Sequence, residues 1–355
     1  MTLSDISNLR LQNQKIETTT FTKANEVVSW MGAMQAQDFA MSKWAIGQRI
    51  LGATDEIIEK ALNDGLLLRT HLLRPTWHLV SAEDIYWMLE LTAPRIKSSM
   101  KSRDKELGLT HEILNKSFSL LEKELSNGVS LSRDQIMGIL NAAGIKTDEN
   151  RLSHILMNAE LEGMICSGRR SGNKITFGLL SERVPKRNIL SKDESLTELA
   201  KRYFTSHGPA TLKDFIWWSG LSVADATKAL YLAASDFISL SVGSEKYWLK
   251  AEGSNFKGHS NSVHLLPAFD EFLISYRDRN ASLELAHNRK AISNNGIFYP
   301  VVVLNGQVSG TWKRTIQKET MKIETYFFVD IKKQHTDLLK KEKEVYSRFL
   351  NRKLV

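Results

Sequence analysis

Two glutamines, Gln35 and Gln37, stand two residues apart in the segment Met34-Gln-Ala-Gln-Asp-Phe39. In an extended stretch that spacing turns both amides to one side. Two neutral donor-acceptor groups so placed can clasp one water. An amide is too weak a base to take a proton from water outright, so the pair would position a nucleophile rather than deprotonate it. On spacing alone the same residues also read as ordinary polar residues closing a helix. Asp38 follows directly and can add field, although alternation points its side chain away from the glutamines.

Other chemistry-bearing clusters carry less. Asp270, Glu271 and Asp278 offer oxygen ligands of the kind magnesium takes, but Arg277 and Arg279 lie among them. Pairing of those arginines with the acids is the simpler expectation, and no metal is expected. His207 sits where a helix ends at His-Gly-Pro and reads as a structural cap. Ser98-Ser-Met-Lys101 has the Ser-x-x-Lys spacing of acylating enzymes without the partner motifs. No phosphate-binding glycine loop or zinc-protease helix is present.

Cationic groups cluster at two turns. The stretch around His71-Leu-Leu-Arg-Pro-Thr76 reads as a hairpin bearing Arg69, Arg74 and His78, expected to contact DNA phosphates unless they serve hairpin packing. Gly168-Arg-Arg-Ser-Gly-Asn-Lys174 places Arg169, Arg170 and Lys174 on a second turn, where sequence-independent phosphate contacts are the stronger expectation. Trp77 and Trp312 read as core residues.

Elements that hold these groups follow from periodicity and caps. A weak repeat of helices followed by two short strands and a polar tip recurs about three times along the chain. In the middle copy Ser132-Arg-Asp-Gln135 is a capping box that starts a helix, and the strands Gly163 to Ser167 and Ile175 to Leu179 flank the basic turn. The third copy follows a linker at Val184-Pro-Lys-Arg187. It has caps at Thr211 and Ser222, and its wing is short with little positive charge. Beyond residue 256 strands dominate, with Asn305-Gly306 as a hairpin turn. The fold class is therefore α+β: tandem winged-helix units, a helix-turn-helix architecture, followed by a small closed or rolled C-terminal sheet. The boundaries fall at 1–125, 126–187, 188–255 and 256–355, the last including a terminal helix.

Composition bounds the classes. The chain has 355 residues, 42% hydrophobic and 25% charged, with a net charge of +8 and a single cysteine. That is an ordinary folded protein of several modules, with no internal disulfide and no Cys/His set for structural zinc. No signal peptide or membrane span is expected, and a cytoplasmic location fits. The positive balance favours a polyanion without proving one. Much of the excess lies after Lys313, in a stretch whose apolar spacing reads as a solvated helix face.

Gln35-Ala-Gln37 and Arg69-Thr-His-Leu-Leu-Arg-Pro-Thr-Trp-His-Leu-Val80 together resemble the AlkZ/YcaQ family of winged-helix DNA glycosylases. So do Leu265-Leu-Pro-Ala-Phe-Asp-Glu-Phe-Leu-Ile-Ser-Tyr-Arg-Asp-Arg279 and Asn305-Gly-Gln-Val-Ser-Gly-Thr-Trp312, in the family's order across residues 9–329. The resemblance implies a tandem winged-helix body with a C-terminal β-barrel, and excision of alkylated purines including the unhooking of crosslinked strands. Its catalytic signature, Gln-x-Gln or Gln-x-Asp, falls on Gln35 and Gln37. Ala36 departs from the larger residue that relatives often carry between them, which bears on substrate shape.

The implied reaction is hydrolysis of the N-glycosidic bond of N7-alkylguanine. That base is already cationic and leaves without an acid catalyst, so no metal or cofactor is required. The expected partner is double-stranded DNA carrying alkylated bases, with no membrane and no obligate protein partner. A non-catalytic DNA-binding protein such as a transcriptional regulator is the alternative. A metal-dependent nuclease using Asp270 and Glu271 is a third reading.

Overall fold

A computed structural model describes residues 1–184, 189–251 and 261–355. Most of the expected linker at Val184-Pro-Lys-Arg187, and the expected boundaries at 187/188 and 255/256, lie outside the described residues.

After α1 (Leu3–Asn13) the chain forms α2 (Ala24–Met31), β1 (Met34–Gln35), α3 (Phe39–Gly47), α4 (Asp55–Asn63), β2 (Leu67–Leu72) and β3 (Thr76–Ser81). These strands make a sheet in the order β1-β3-β2. The long α5 (Ile85–Glu106) leads to α6 (His111–Leu125), β4 (Leu131–Ser132), α7 (Arg133–Ala142), α8 (Arg151–Leu161), β5 (Ile165–Ser167) and β6 (Thr176–Leu179). The sheet order β4-β6-β5 repeats that of the first unit. After the short α9 (Leu180–Arg183) come α10 (Lys192–Ser206), α11 (Leu212–Ser219), α12 (Val223–Ala233), β7 (Phe237–Val242) and β8 (Glu245–Lys250). Here an isolated bridge from Ala210 to Trp248 stands where the other units have a short first strand. Among the described residues the path helix, short strand, two helices, hairpin thus occurs three times.

Local chemistry sets these starts. Ser132 and Gln135 form the expected capping box of α7, and Thr211 with Asp214 forms that of α11. Leu121 and Leu125 of α6 share a core with Ile136 of α7 and Ile155 of α8. Helix α6 therefore belongs with the second unit, whereas the sequence reading closed the first unit at 125.

The C-terminal part contains β9 (Val263–Leu266), α13 (Glu271–Ile274), α14 (Asn288–Ala291), β10 (Val301–Leu304), β11 (Gln307–Ile316), β12 (Thr320–Phe327), α15 (Lys333–Phe349) and β13 (Lys353–Leu354). Asn305 and Gly306 both take positive φ, 51° and 81°, and close the β10–β11 hairpin as expected. The five strands run β13-β12-β11-β10-β9 with β9 and β13 at opposite edges. The result is a curled half-barrel, the rolled form of the closed or rolled sheet expected from the sequence. Helix α15 packs against both edge strands, which supplies the cover that closure would otherwise give.

The first unit's sheet is buried on both faces. Met34, Leu67 and Leu79 join the core shared with the C-terminal sheet and α15, while Leu68, Leu72 and Val80 join the core shared with the third unit. Period-2 alternation sends neighbouring residues into different cores. Helix α15 is seated on α3 through Gly47, where a Cβ would stand 2.5 Å from the Phe349 ring. We expect Gly47→Ala to destabilise the fold by about 1–3 kcal/mol through overpacking. Adding Phe349→Leu should recover part of that loss in urea denaturation, and an unchanged midpoint for Gly47→Ala would contradict the α3–α15 contact.

Candidate active site

The Gln-x-Gln segment bridges a strand and a helix. Met34 and Ala36 enter the core at 1% and 0% exposure. By alternation Gln35 falls on the opposite face, and Gln37 follows at a bend beyond the strand. Gln35 is buried and pairs with His78 across the sheet, whereas Gln37 is exposed. The Ala36 N–H donates to the Trp77 carbonyl at 2.7 Å. Asp38 caps α3, its Oδ1 accepting the Met41 N–H at 3.0 Å. That side chain therefore serves the helix.

Gln35 is held by two partners. Its backbone N–H donates to Oε1 of Glu271 at 2.6 Å, and its side-chain Oε1 accepts from Nη2 of Arg74 at 2.8 Å. Glu271 is buried beneath this strand. Its Oε2 also accepts from Trp218 Nε1 at 3.2 Å and from the Ser275 hydroxyl, with His207 Nε2 at 3.7 Å. Burial alone would raise this carboxyl, but His207, Ser275 and the Gln35 N–H together bring it down to about 2. Glu271 is thus a satisfied buried anion.

Asp270 makes a two-point pair with Arg49, at 2.9 and 3.0 Å, and both groups are buried. Arg49 also donates to the Gln14 carbonyl at 2.8 Å. The expected pairing of Asp270 and Glu271 with Arg277 and Arg279 is therefore corrected: Arg49 and the donors around Gln35 take those roles. Arg279 instead donates from Nε to the Leu273 carbonyl at 2.9 Å, and Asp278 accepts from the Asn280 N–H. The described residues hold no cluster of metal-ligating side chains.

The cationic hairpin divides. Arg69 is buried, donates from Nε to the Ala36 carbonyl at 3.0 Å and lies 4.2 Å from the Trp77 ring centroid; burial draws its pKa down to about 10. His78 is wholly buried with Nδ1 at 2.9 Å from the Thr76 carbonyl, and burial followed by the Arg74 charge holds its pKa at about 3. Neither meets the expectation of a phosphate contact, because both faces of this sheet are covered. Arg74, at the hairpin tip, is half-buried and reaches the site. On the second hairpin Arg169 and Lys174 are exposed, Lys174 lying 3.2 Å from Asp134. Arg170 is half-buried, 3.1 Å from Glu59 and over the Phe39 ring.

His207 ends α10 as expected, its N–H donating to the Tyr203 carbonyl, but its ring also joins the polar group around Glu271. Trp312 is core, donating to the Leu266 carbonyl at 2.8 Å. Sequence reasoning missed Arg49 as the partner of Asp270 and gave Trp217 and Trp218 no role. No local pattern signals contacts that span more than two hundred residues.

A two-residue strand carrying Gln35, with a buried anion behind it, opens through Gln37 into a capped helix within the first of three copies of one helix-and-hairpin path. A family model described as DNA glycosylase AlkZ-like matches residues 28–349. The chain belongs to the AlkZ-like family and is a DNA glycosylase. An interstrand DNA cross-link repair glycosylase of Streptomyces sahachiroi is 25% identical over 321 residues, spanning 86% of this chain and 85% of that protein. The solved structure of Streptomyces sahachiroi DNA glycosylase AlkZ matches with a TM-score of 0.82 at 22% identity, over 100% of both chains. Membership decides against the regulator and nuclease readings.

Buried neutral histidines give the fold an acid sensitivity. His78 is lowered from 6.5 to about 3 and His264 to about 4, each mainly by burial. The unfolded chain takes up these protons below about pH 6.5 while the folded protein does not, so stability is lost as pH falls from there. Glu271 adds a loss below about pH 4.5, where its unfolded carboxyl protonates first. We expect Tm to fall between pH 7.5 and 5 and more steeply below 4.5. A Tm that rises on acidification would overturn the neutral state of these histidines.

Proposed function

We propose that this glycosylase hydrolyses the N-glycosidic bond of alkylated purines, N7-alkylguanine foremost, in double-stranded DNA, bulky and interstrand-crosslinked adducts included. The observation that carries the reading is Gln35 at the end of β1, anchored on both backbone and side chain, with Gln37 exposed two residues further on. The name of one relative, an interstrand DNA cross-link repair glycosylase, supports the crosslinked part of this substrate range.

The chemistry asks little of an acid or base. Alkylation at N7 makes the purine a cation, so the C1′–N9 bond breaks with its electron pair passing to the base, which leaves neutral. Water oxygen bonds to C1′, and its proton passes to solvent. The oxocarbenium-like sugar needs an aligned water and a field that tolerates positive charge. Two amides supply alignment, and no metal or cofactor enters the balance.

We read the three repeated paths as winged-helix units whose wings are the β2–β3, β5–β6 and β7–β8 hairpins. The β5–β6 wing presents Arg169 and Lys174 to solvent and suits backbone phosphates. Clefts of about 660 and 740 Å³ lie elsewhere, and neither is lined by Gln35 or Gln37. An exposed Gln37 beside a buried Gln35 suits a bulky adduct approached from an open surface rather than a base swallowed whole. A cytoplasmic enzyme acting without an obligate protein partner completes the reading; no helix among the described residues is long and apolar enough to cross a membrane.

The test is release of base from an N7-methylguanine duplex, and from a crosslinked duplex, in chelator. Gln35→Ala with Gln37→Ala should lower release more than about a hundredfold while DNA affinity is kept. Loss of binding in place of catalysis would overturn the assignment. On the wing, Arg169→Ala should weaken binding to all sequences and reduce the salt slope by about one. Arg170→Ala, whose guanidinium already faces Glu59, should change that slope less; an unchanged slope for Arg169→Ala removes this wing from the interface.

A further inference from the structure

The two glutamines are not equivalent in the structure, and the difference lies in Arg74. A guanidinium only donates hydrogen bonds. The Gln35 atom 2.8 Å from Arg74 Nη2 is therefore its carbonyl oxygen, whatever the ambiguity of amide groups elsewhere. With Oε1 turned to Arg74, the NH2 of Gln35 is the group left to meet a ligand. The backbone beneath cannot rotate to change this, since the Gln35 N–H is committed to Glu271 and the strand is registered against His78.

Arg74 is itself immobilised. It follows Leu73, whose φ of 59° is a left-handed conformation that a leucine adopts only when its surroundings impose it. The Leu73 carbonyl and the Arg74 side chain press on Gly220, where a Cβ would stand 2.3 and 3.3 Å away. Arg74 Nη1 lies 3.4 Å from the Trp217 carbonyl, and its guanidinium faces the Trp217 ring at 5.7 Å. Among the described residues no carboxylate forms an ion pair with it at contact distance; Glu271 balances its charge from behind Gln35.

Resting on the glycosylase reading above, we propose that Arg74 is a positioning residue that splits the pair. It fixes Gln35 as the hydrogen-bond donor to the hydrolytic water and leaves Gln37 as its acceptor. A water bound this way accepts one hydrogen bond from Gln35 Nε2, gives one to Gln37 Oε1 and keeps a lone pair for C1′. Arg74 acts through Gln35 and not through a DNA phosphate.

The experiment measures steady-state release from an N7-methylguanine duplex at varied duplex concentration, with DNA binding across salt concentrations, for Arg74→Met, Arg74→Lys, Gln35→Glu and Gln37→Glu. Arg74→Met should lower kcat about a hundredfold with KM and the salt slope of binding unchanged, and Arg74→Lys should restore part of it. A glutamate at 35 pairs with Arg74 and has no N–H to give, so Gln35→Glu should be at least about tenfold slower than Gln37→Glu, which keeps an acceptor. The glutamate comparison stands on its own if Arg74→Met does not fold. Gln35→Glu faster than Gln37→Glu overturns the split. So does an Arg74→Met enzyme with normal kcat and a salt slope reduced by about one, the signature of a phosphate contact. Wild-type enzyme that releases no base from any duplex overturns the glycosylase reading and this inference with it, whereas the other adverse outcomes leave that reading intact.

Discussion

One buried carboxylate ties the molecule together at its working edge. Glu271 accepts from the Gln35 backbone 236 residues away, from Trp218 of α11 and from Ser275 of its own segment. An ionised group without water survives in an interior only when its lone pairs are taken. The first unit, the third unit and the C-terminal segment must therefore meet correctly for any of them to tolerate Glu271. Its neighbour Asp270 repeats the arrangement with Arg49 of the first unit. The position of β1 is thus set by electrostatic satisfaction at its back, not by the two-residue strand itself.

That convergence also separates the three units by role. The first unit's sheet lies between two cores, so its hairpin cations are spent on internal contacts: Arg69 on the Ala36 carbonyl and the Trp77 ring, Arg74 on Gln35. The second unit keeps its own core and leaves its basic hairpin in solvent. A repeated path has been used once for a rigid site and once for an open cationic edge, with the third copy as the wall that carries Trp217 and Trp218.

Much of the fold was legible because its signals are local. The capping boxes at Ser132 and Thr211, the Asn305-Gly306 turn and the strand at Val263–Leu266 follow from a few neighbouring residues, and each is in place. The glutamine pair takes its proposed role from a family resemblance, since its spacing alone reads equally as the end of a helix. Burial was not: Arg69 and His78 have the composition of a DNA-binding hairpin, and only the neighbours packed on both faces make them interior. The partner of Asp270 was misread for the same reason, since Arg277 and Arg279 are close in sequence while Arg49 is 221 residues away. Whether the last sheet closes or only rolls stayed open in the sequence because alternation reports which side of a strand is buried, not whether the covering layer is another strand or, as here, helix α15.

The anchoring of Gln35 also explains why an amide suits this position better than a carboxylate. A second anion at residue 35 would stand close to the buried charge of Glu271, and two carboxylates sharing a site cannot both stay ionised without cost. Arg74 would hold the new carboxylate as an anion, which has no hydrogen to give a ligand. An amide keeps the same donor and acceptor at every pH the fold survives. In the proposed reaction the leaving group is cationic and the water needs direction more than deprotonation, so a neutral side chain held by a fixed arginine and a fixed backbone gives up little in basicity. What it gains is a geometry that folding has already set before DNA arrives.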